Sequence, residues 1–404
     1  ILGGMETREF DVVIVGGGLV GASLACLLVP QGRSVALVDA GSGPVPLTAD
    51  PRKLALAAAS LDTLAALGVL SRLPVPPTPI RRLHVSREGD FGQLRCEAAE
   101  LGREAFGGVV LAGELGAALE QALTALPGLV RVRGRAEADG VDGGGRRLRV
   151  LPEGRPAETW QARLVVAADG SASPLRGAAG IEVARHDYGQ TLIVTSARLS
   201  AAPEGTAFER FTDHGPCALL PMAGGRHGAL CGVATAETSA VLALDDAGYS
   251  AYFQRRFGWR AGRVLEVGAR SAWPLHRVVA ARLVAERLVL VGNAAQTLHP
   301  IGAQGFNLGL RDALTLAGLL RGAADPGADA LLAAYAEARR EDREATLALS
   351  DGLARATAGT SPLHRLGRSL GFAALNLDAG LRARFLTGAM GYRPGVPRAA
   401  EVLA

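Results

Sequence analysis

Four short apolar runs end abruptly in a glycine or an acid, and they set the rhythm of the chain. Asp11-Val-Val-Ile-Val15 runs into Gly16, Val35-Ala-Leu-Val38 into Asp39, Leu164-Val-Val-Ala-Ala168 into Asp169, and Leu288-Val-Leu-Val291 into Gly292. Such runs, apolar on both faces, predict strands of a buried parallel sheet. Helical patterns follow: Ala22 to Val29, and Leu308, Leu314, Leu316 and Leu319 beside Arg311 and Asp312. Leu54 to Leu70 reads as an apolar helix, and Leu115 to Leu126 as another, stopped by Pro127. Residues 129 to 162 read as short strands around a turn at Asp139 to Gly145.

From Tyr188 to Val233 the pattern changes. Gln190–Thr195, Ala207–Phe211, Cys217–Met222 and Ala229–Val233 predict strands of one antiparallel sheet. Arg82 to Ser86, beyond a linker of Pro74, Pro76, Pro77 and Pro79, alternates like a strand of the same unit. Ala251 to Phe257 suggests a helix, and Arg263 to Trp273 is expected to return the chain to the first domain. The expected fold class is α/β: a Rossmann-like domain, a second, largely antiparallel β-sheet domain and a helical C-terminal tail. The first domain is assigned residues 5–72, 96–180 and 268–330, the second 73–95 and 181–267, and the tail 331–404.

Composition narrows the classes. The chain of 404 residues can bury a large core, and its 53 glycines and 49% hydrophobic residues suit a soluble α/β enzyme. Its net charge of +4 is too small to suggest nucleic acid. Cys26, Cys96, Cys217 and Cys231 are scattered, with no C-x-x-C spacing, which favours a reducing cytosol and gives no sign of a metal site. Ile1-Leu-Gly-Gly4 before Met5 reads as a vector-derived remnant. Val12 to Gly32 carries no charge and would pass for a membrane span, but its glycines overrule that reading.

Gly16-Gly-Gly18-Leu-Val-Gly21 fits G-x-G-x-x-G between a strand and a helix, and Asp39 closes the next strand 18 residues beyond Gly21. Gly16 permits the tight turn, Gly18 lets backbone approach a pyrophosphate, Gly21 lets helix and strand pack, and Asp39 can accept from ribose hydroxyls. This pattern does not choose between FAD and NAD. At the other end of the chain, Gly292 to Ala313 reads GNAAQTLHPIGAQGFNLGLRDA, a strand, a glycine-rich turn and a helix start. Free N–H groups and the positive end of a helix dipole meet there and suit an electron-rich ligand.

That second stretch resembles the flavin-contacting motif of the FAD-dependent aromatic hydroxylases, the single-component flavoprotein monooxygenases. Most of that family carries Gly-Asp then Ala-Ala-His; Gly292-Asn293-Ala-Ala-Gln296 with Thr297-Leu-His299-Pro300 is similar to the ubiquinone-biosynthesis branch and its polyprenyl-phenol hydroxylases. The resemblance leads one to expect Ala-Gly before Gln304, where this chain has Gly302-Ala303, and an Arg or Gln at Ala112. Asp169-Gly170 with Ser171 and Ser173 is similar to the family's Asp-Gly motif, a helix cap being the plainer alternative.

The resemblance implies FAD as cofactor and NAD(P)H as a transient reductant, since only one fingerprint is present. Implied cofactor contacts are Gly16, Gly18, Gly21, Asp39, Arg52, Asp169, Gly170, Gly292, Asn293, Gly302, Ala303, Gln304, Gly305, Phe306 and Asn307. His299 and Pro300 are flavin-edge candidates for catalysis, with a structural hydrogen bond in the turn as an equal reading of His299. Tyr188, Gln190 and His214 are candidates for the substrate pocket, each readable as an ordinary sheet residue. The implied reaction uses NAD(P)H and O2 to hydroxylate a phenol carrying a polyprenyl chain. Hydroxylation of a soluble aromatic or polyketide, or a non-catalytic subunit of a quinone-synthesis complex, are the competing classes.

In the tail, Leu363, Leu366, Leu370, Ala374, Leu377, Leu381 and Phe385 recur at helical steps, and Arg365, Arg368, Arg382 and Arg384 fall off that stripe. Two readings stay open. A basic amphipathic stretch can lie on the inner face of an anionic membrane, or the stripe packs on the protein's own core.

Overall fold

The computed structural model describes residues 7–41, 50–142, 144–201, 204–358 and 362–404. Residues 1–4, read above as a vector-derived remnant, and position 143 of the Asp139–Gly145 turn lie outside the described residues, as do the side chains of 353–363, Leu363 among them.

The apolar runs do form a parallel sheet. Its central order is Val130–Asp142, Val35–Asp39, Arg8–Val15, Glu158–Ala167 and Leu288–Leu290. Ile14 lies beside Leu37 on one side and Val166 on the other, and Val166 beside Val289. Val12, Val13, Ile14, Val165 and Val166 have no exposed surface; each such burial contributes about 1.5–3 kcal/mol. The helices Leu19–Leu28, Ala112–Thr124 and Gln304–Leu320 pack into the same core.

The second sheet has nine strands, with Val183–Leu199 paired to Arg226–Ala234 on one edge and to Ser271–Ala280 on the other. It is antiparallel except where Thr206–Thr212 runs parallel to Arg82–Arg87. Its outer face is covered by the helix Asp246–Phe257, through Tyr249, Phe253 and Phe257.

Two expectations are corrected. Val264–Val267 and Ser271–Ala280 both pair with Val183–Leu199, so the return to the first domain comes after residue 280, not at 263–273. Lys53–Ala57 is a strand, paired antiparallel with Gly107–Leu111, and only Ala58–Ala66 is helical. A run of alanines and leucines satisfies either period; the partner strand decides. This small sheet bridges the two domains.

Candidate FAD and substrate site

Three turns meet at the carboxyl ends of adjacent parallel strands, the crevice where such sheets bind ligands. Gly16 N–H donates to Val38 O at 2.8 Å, Ala168 N–H to Val15 O at 2.8 Å and Val291 N–H to Ala167 O at 3.0 Å. Side chains tie the turns together: Thr297 Oγ1 donates to Ser171 Oγ at 2.7 Å, and Arg176 to Ala294 O at 2.7 Å.

The fingerprint glycines have separate duties. A Cβ on Gly16, whose φ is +108°, would lie 2.2 Å from Ala168 O, and one on Gly21 1.9 Å from Gly16 O. Both are required by packing. A Cβ on Gly18 would meet nothing within 4 Å, so backbone there borders open space. The helix that follows, Leu19–Leu28, has no side-chain cap, leaving its first N–H groups for an anion. Asp39 is half-buried at the rim.

Asp169 accepts from Leu175 N–H at 3.2 Å through one oxygen, while the other is buried without a partner. Burial raises its pKa. Ser173 caps the helix by accepting from Arg176 N–H at 3.1 Å, and Asp169 shares that role through Leu175 N–H, which leaves one Asp169 oxygen over. Gly170 stands at φ +86° with open space around it. Gly292 is buried, and Asn293 is exposed in the 3-10 turn Gly292–Ala294 that follows the strand. The orphaned oxygen, the open space at Gly18 and two uncapped helix starts fit FAD.

At the other motif the helix Gln304–Leu320 also begins without a side-chain cap. Gly302 and Ala303 are both left-handed, at φ +70° and +52°. Cβ atoms on Gly302 and Gly305 would meet nothing within 4 Å, so the turn faces free space. The Asn307 amide is consumed by protein: it accepts from Ala57 N–H at 2.9 Å and donates to Ala55 O and Ala303 O. Gln304, Gly305 and Phe306 carry the first backbone N–H groups of this uncapped helix. Ala112, where the family pattern has a polar side chain, is buried and donates its N–H to Arg52 O.

His299 is buried, and its Nδ1 accepts from Ile301 N–H at 3.3 Å, the structural bond in the turn. Burial pushes its pKa down to about 4, so the ring is neutral and a weak base near pH 7. Pro300 starts the turn beside it. Tyr188 packs edge-on against His299, centroids 4.7 Å apart. Leu192, Val194, Leu230, Leu275 and Trp273 continue from Tyr188 as an apolar wall. Gln190 precedes this wall on the same strand face. His214 does not join: it is exposed on a hairpin turn, its N–H given to Thr212. Arg52 is held by Asp50 at 2.9 Å and lies over the Trp273 ring at 4.7 Å, between the domains.

Sequence reasoning missed the buried ion network behind the motif helix. Arg311 pairs with Asp342 at 2.7 Å, and Arg339 with Asp312 at 2.8 Å, all four side chains at most 3% exposed. Asp312 also accepts from Gly292 N–H at 3.1 Å. The Arg311-Asp312 pair was visible as charge inside an apolar helix pattern, the one signal available.

Residues 9–350 match the family described as FAD binding domain. The chain is 37% identical over 401 residues to ubiquinone hydroxylase UbiL of Rhodospirillum rubrum, covering 96% of this chain and 91% of that protein. It is 33% identical over 314 residues to 3-demethoxyubiquinol 3-hydroxylase of Escherichia coli, covering 76% and 78%. Among solved structures, p-nitrophenol 4-monooxygenase PnpA of Pseudomonas putida superposes with a TM-score of 0.77 at 21% identity, over 96% of this chain and all of that one. The chain belongs to this FAD-binding family and is an FAD-dependent monooxygenase of the aromatic hydroxylase class.

Proposed function

We propose that the protein hydroxylates the ring of a polyprenylated phenol on the route to ubiquinone and takes that substrate from a membrane surface. The named relatives support the ring chemistry. One observation carries the lipid part: the tail presents its leucines outward. Leu366, Leu370, Leu377 and Leu381 are 48%, 55%, 87% and 47% exposed, and Phe91 beside them is 75% exposed. Singly exposed leucines are ordinary; five large side chains on adjoining segments mark a contact surface.

The tail's charges favour an apolar over an electrostatic mode of contact. Arg365 and Arg368 both bind Asp90, whose side chain has no exposed surface, at 3.2 and 2.8 Å. Arg382 binds Glu100 and Arg393 binds Asp342. The stripe is divided: Phe385 packs against the cluster of Leu386 and Met390, while its leucines stay outside, and Arg365, Arg368 and Arg382 are held by carboxylates of the protein. Contact is apolar, through Leu366, Leu370, Leu377, Leu381 and Phe91. Among the described residues no helix is long and apolar enough to cross a membrane.

When bound, FAD takes electrons from NAD(P)H and, with O2, supplies the oxygen atom. The protein's part is placement and exclusion of water. The Leu192, Val194, Leu230 and Trp273 wall gives a ring an apolar bed beside His299-Pro300. The N–H groups at Gln304–Phe306 hold negative charge at the flavin edge.

The test combines flotation on liposomes with hydroxylation of a short-chain prenylated phenol and of a soluble phenol. Binding to neutral vesicles that resists salt, lost in Leu370→Glu/Leu377→Glu with FAD retained, supports the reading. Turnover of the soluble phenol alone, with no vesicle binding, replaces it with a soluble-substrate hydroxylase.

A further inference from the structure

Of the 43 lysines and arginines in the chain, one alone is lysine, Lys53. It opens the strand Lys53–Ala57 of the small bridging sheet. Two residues on, Ala55 gives its carbonyl oxygen to Asn307 Nδ2 at 3.1 Å, which pins this strand to the flavin-edge helix Gln304–Leu320. Ala55 also packs in one cluster with Leu220 of the second sheet, and alternation puts Lys53 on the same face. Its direction is fixed by Gly228: a Cβ there would lie 2.7 Å from Lys53 Cγ, 3.1 Å from its Cβ and 3.3 Å from its Cδ. Gly228 stands inside the strand Arg226–Ala234 with no left-handed conformation to require glycine. What it provides is room for the lysine stem. The flanking Ala229 and Cys231 point the other way, under the covering helix. Leu230, about 7 Å along from Gly228 on the same face, belongs to the apolar wall of Trp273 and Tyr188, and Tyr188 touches His299. Arg52, next to Lys53, lies over Trp273 itself. Lys53 thus rests on the inner face of the second sheet, beside the wall and on a strand bonded to the flavin-edge helix.

The charge of this lysine is left over. Asp50, the nearest carboxylate along the chain, accepts from Arg52 through both of its oxygens. On the sheet side Arg226 presents a like charge and is itself engaged by Ser196 and Glu266. Cys217 and Cys231 belong to the far face of that sheet. The paired strand Gly107–Leu111 carries no titratable group, and the turn before the flavin-edge helix adds only His299, neutral near pH 7. Among the described residues no hydrogen bond or ion pair engages the Lys53 ammonium, which keeps accessible surface. Burial first, and Arg226 next, push its pKa down. A half-buried cation without a carboxylate of its own is an expensive arrangement unless a ligand brings the opposite charge.

We propose that Lys53 holds the hydroxyl oxygen of the substrate's ring and favours its ionised form. This rests on the phenol-hydroxylase reading. In the bound phenol the O–H bond breaks, the proton passes to water, and the electron pair stays on the oxygen as phenolate, facing the ammonium. The oxyanion enriches the ring for the electrophilic oxygen supplied with FAD and O2. As the ring regains aromaticity its C–H proton leaves to water, and the ring oxygen takes a proton back. Each cycle leaves Lys53 as it began.

Because the chain has one lysine, an amine-specific acylating ester reads a single side chain besides the N-terminus. FAD-loaded wild type is acylated with and without a chromogenic nitrophenol, and modification of Lys53 is followed by mass spectrometry. With the phenol at about ten times its Kd, labelling should slow about tenfold. Lys53→Met keeps the stem and removes the charge, so it should fold and stay yellow. The ionisation midpoint of the bound nitrophenol, read by its absorbance on the oxidised protein, should lie about one pH unit or more higher on Lys53→Met than on wild type. Lys53→Arg should recover part of that shift. With a short-chain prenylated phenol, kcat/KM of Lys53→Met should fall about tenfold or more near neutral pH, and the gap should narrow toward about pH 10, where a phenol ionises unaided. Labelling that the phenol does not slow overturns the assignment and leaves the hydroxylase reading standing. So does an unchanged midpoint on Lys53→Met, even beside an altered flavin potential, since the charge would then serve the flavin. A yellow wild type that hydroxylates no phenol overturns both.

Discussion

Gln296 donates its amide hydrogen to Asp312 at 2.7 Å while its carbonyl oxygen accepts from Arg343 at 2.9 Å. The residue is buried, and both ends of the amide are used. The second of these bonds needs an acceptor, which explains in physical terms why an amide serves at this place in the motif. Through Asp312 the same amide fixes Gly292, since that carboxyl also takes the Gly292 N–H. Gln296→Leu should leave Asp312 with Arg339 and Gly292 N–H, and Arg343 with Ala280 O, each one partner short, and cost about 1–3 kcal/mol. A denaturation midpoint unchanged from wild type in urea would show that the network does not depend on it.

Gly18 and Gly21 should fail differently. Gly21→Ala places a methyl 1.9 Å from Gly16 O and should lower the melting temperature or prevent folding. Gly18→Val places its side chain in open space, so the protein should fold normally and purify colourless, because the pyrophosphate approach is filled. Circular dichroism and flavin absorbance, measured on the same samples, separate the two outcomes. A yellow Gly18→Val would move the pyrophosphate elsewhere.

Asn293, exposed in the turn after its strand, can both donate and accept. Asn293→Asp should retain flavin; Asn293→Leu should weaken FAD binding by roughly tenfold, about 1.4 kcal/mol. Fluorescence titration of apoprotein checks this, and equal affinity in the leucine variant removes Asn293 from the site.

Ala303 holds a left-handed conformation that glycine adopts without penalty. Ala303→Gly should therefore stabilise the turn by about 1 kcal/mol. Calorimetry measures it. Loss of stability would mean the methyl packs usefully on the helix start.

His299 supplies a pH dependence whose sign follows from its burial. Its folded pKa, about 4, lies below the usual 6.5, so the unfolded chain binds the extra proton. Stability from this group is full above about pH 6.5 and is lost as pH falls toward 4, by up to about 3 kcal/mol. His299→Gln should flatten that part of the stability curve relative to wild type. Parallel curves would place the titration elsewhere, His84 and His227 being the other buried candidates.

The three ligand turns were legible because each needs backbone conformations or close approaches that only certain residues allow, so Gly16, Gly21 and Gly292 announce themselves. Strand edges such as Ser271–Ala280 were not, because a half-buried strand ending near a domain boundary has the same alternation whichever sheet receives it.

The parallel pairing of Val165–Ala167 with Leu288–Leu290 has a consequence for how the protein is made. A ribosome adding ~5–20 residues per second needs roughly 6–25 s to travel from one strand to the other. Throughout that interval the fingerprint strand and its neighbours have emerged, but one flank of their sheet lacks its partner. The nascent chain can acquire its coenzyme only near the end of synthesis, and fragments that stop short of the Gln304–Leu320 helix should emerge colourless and prone to aggregate.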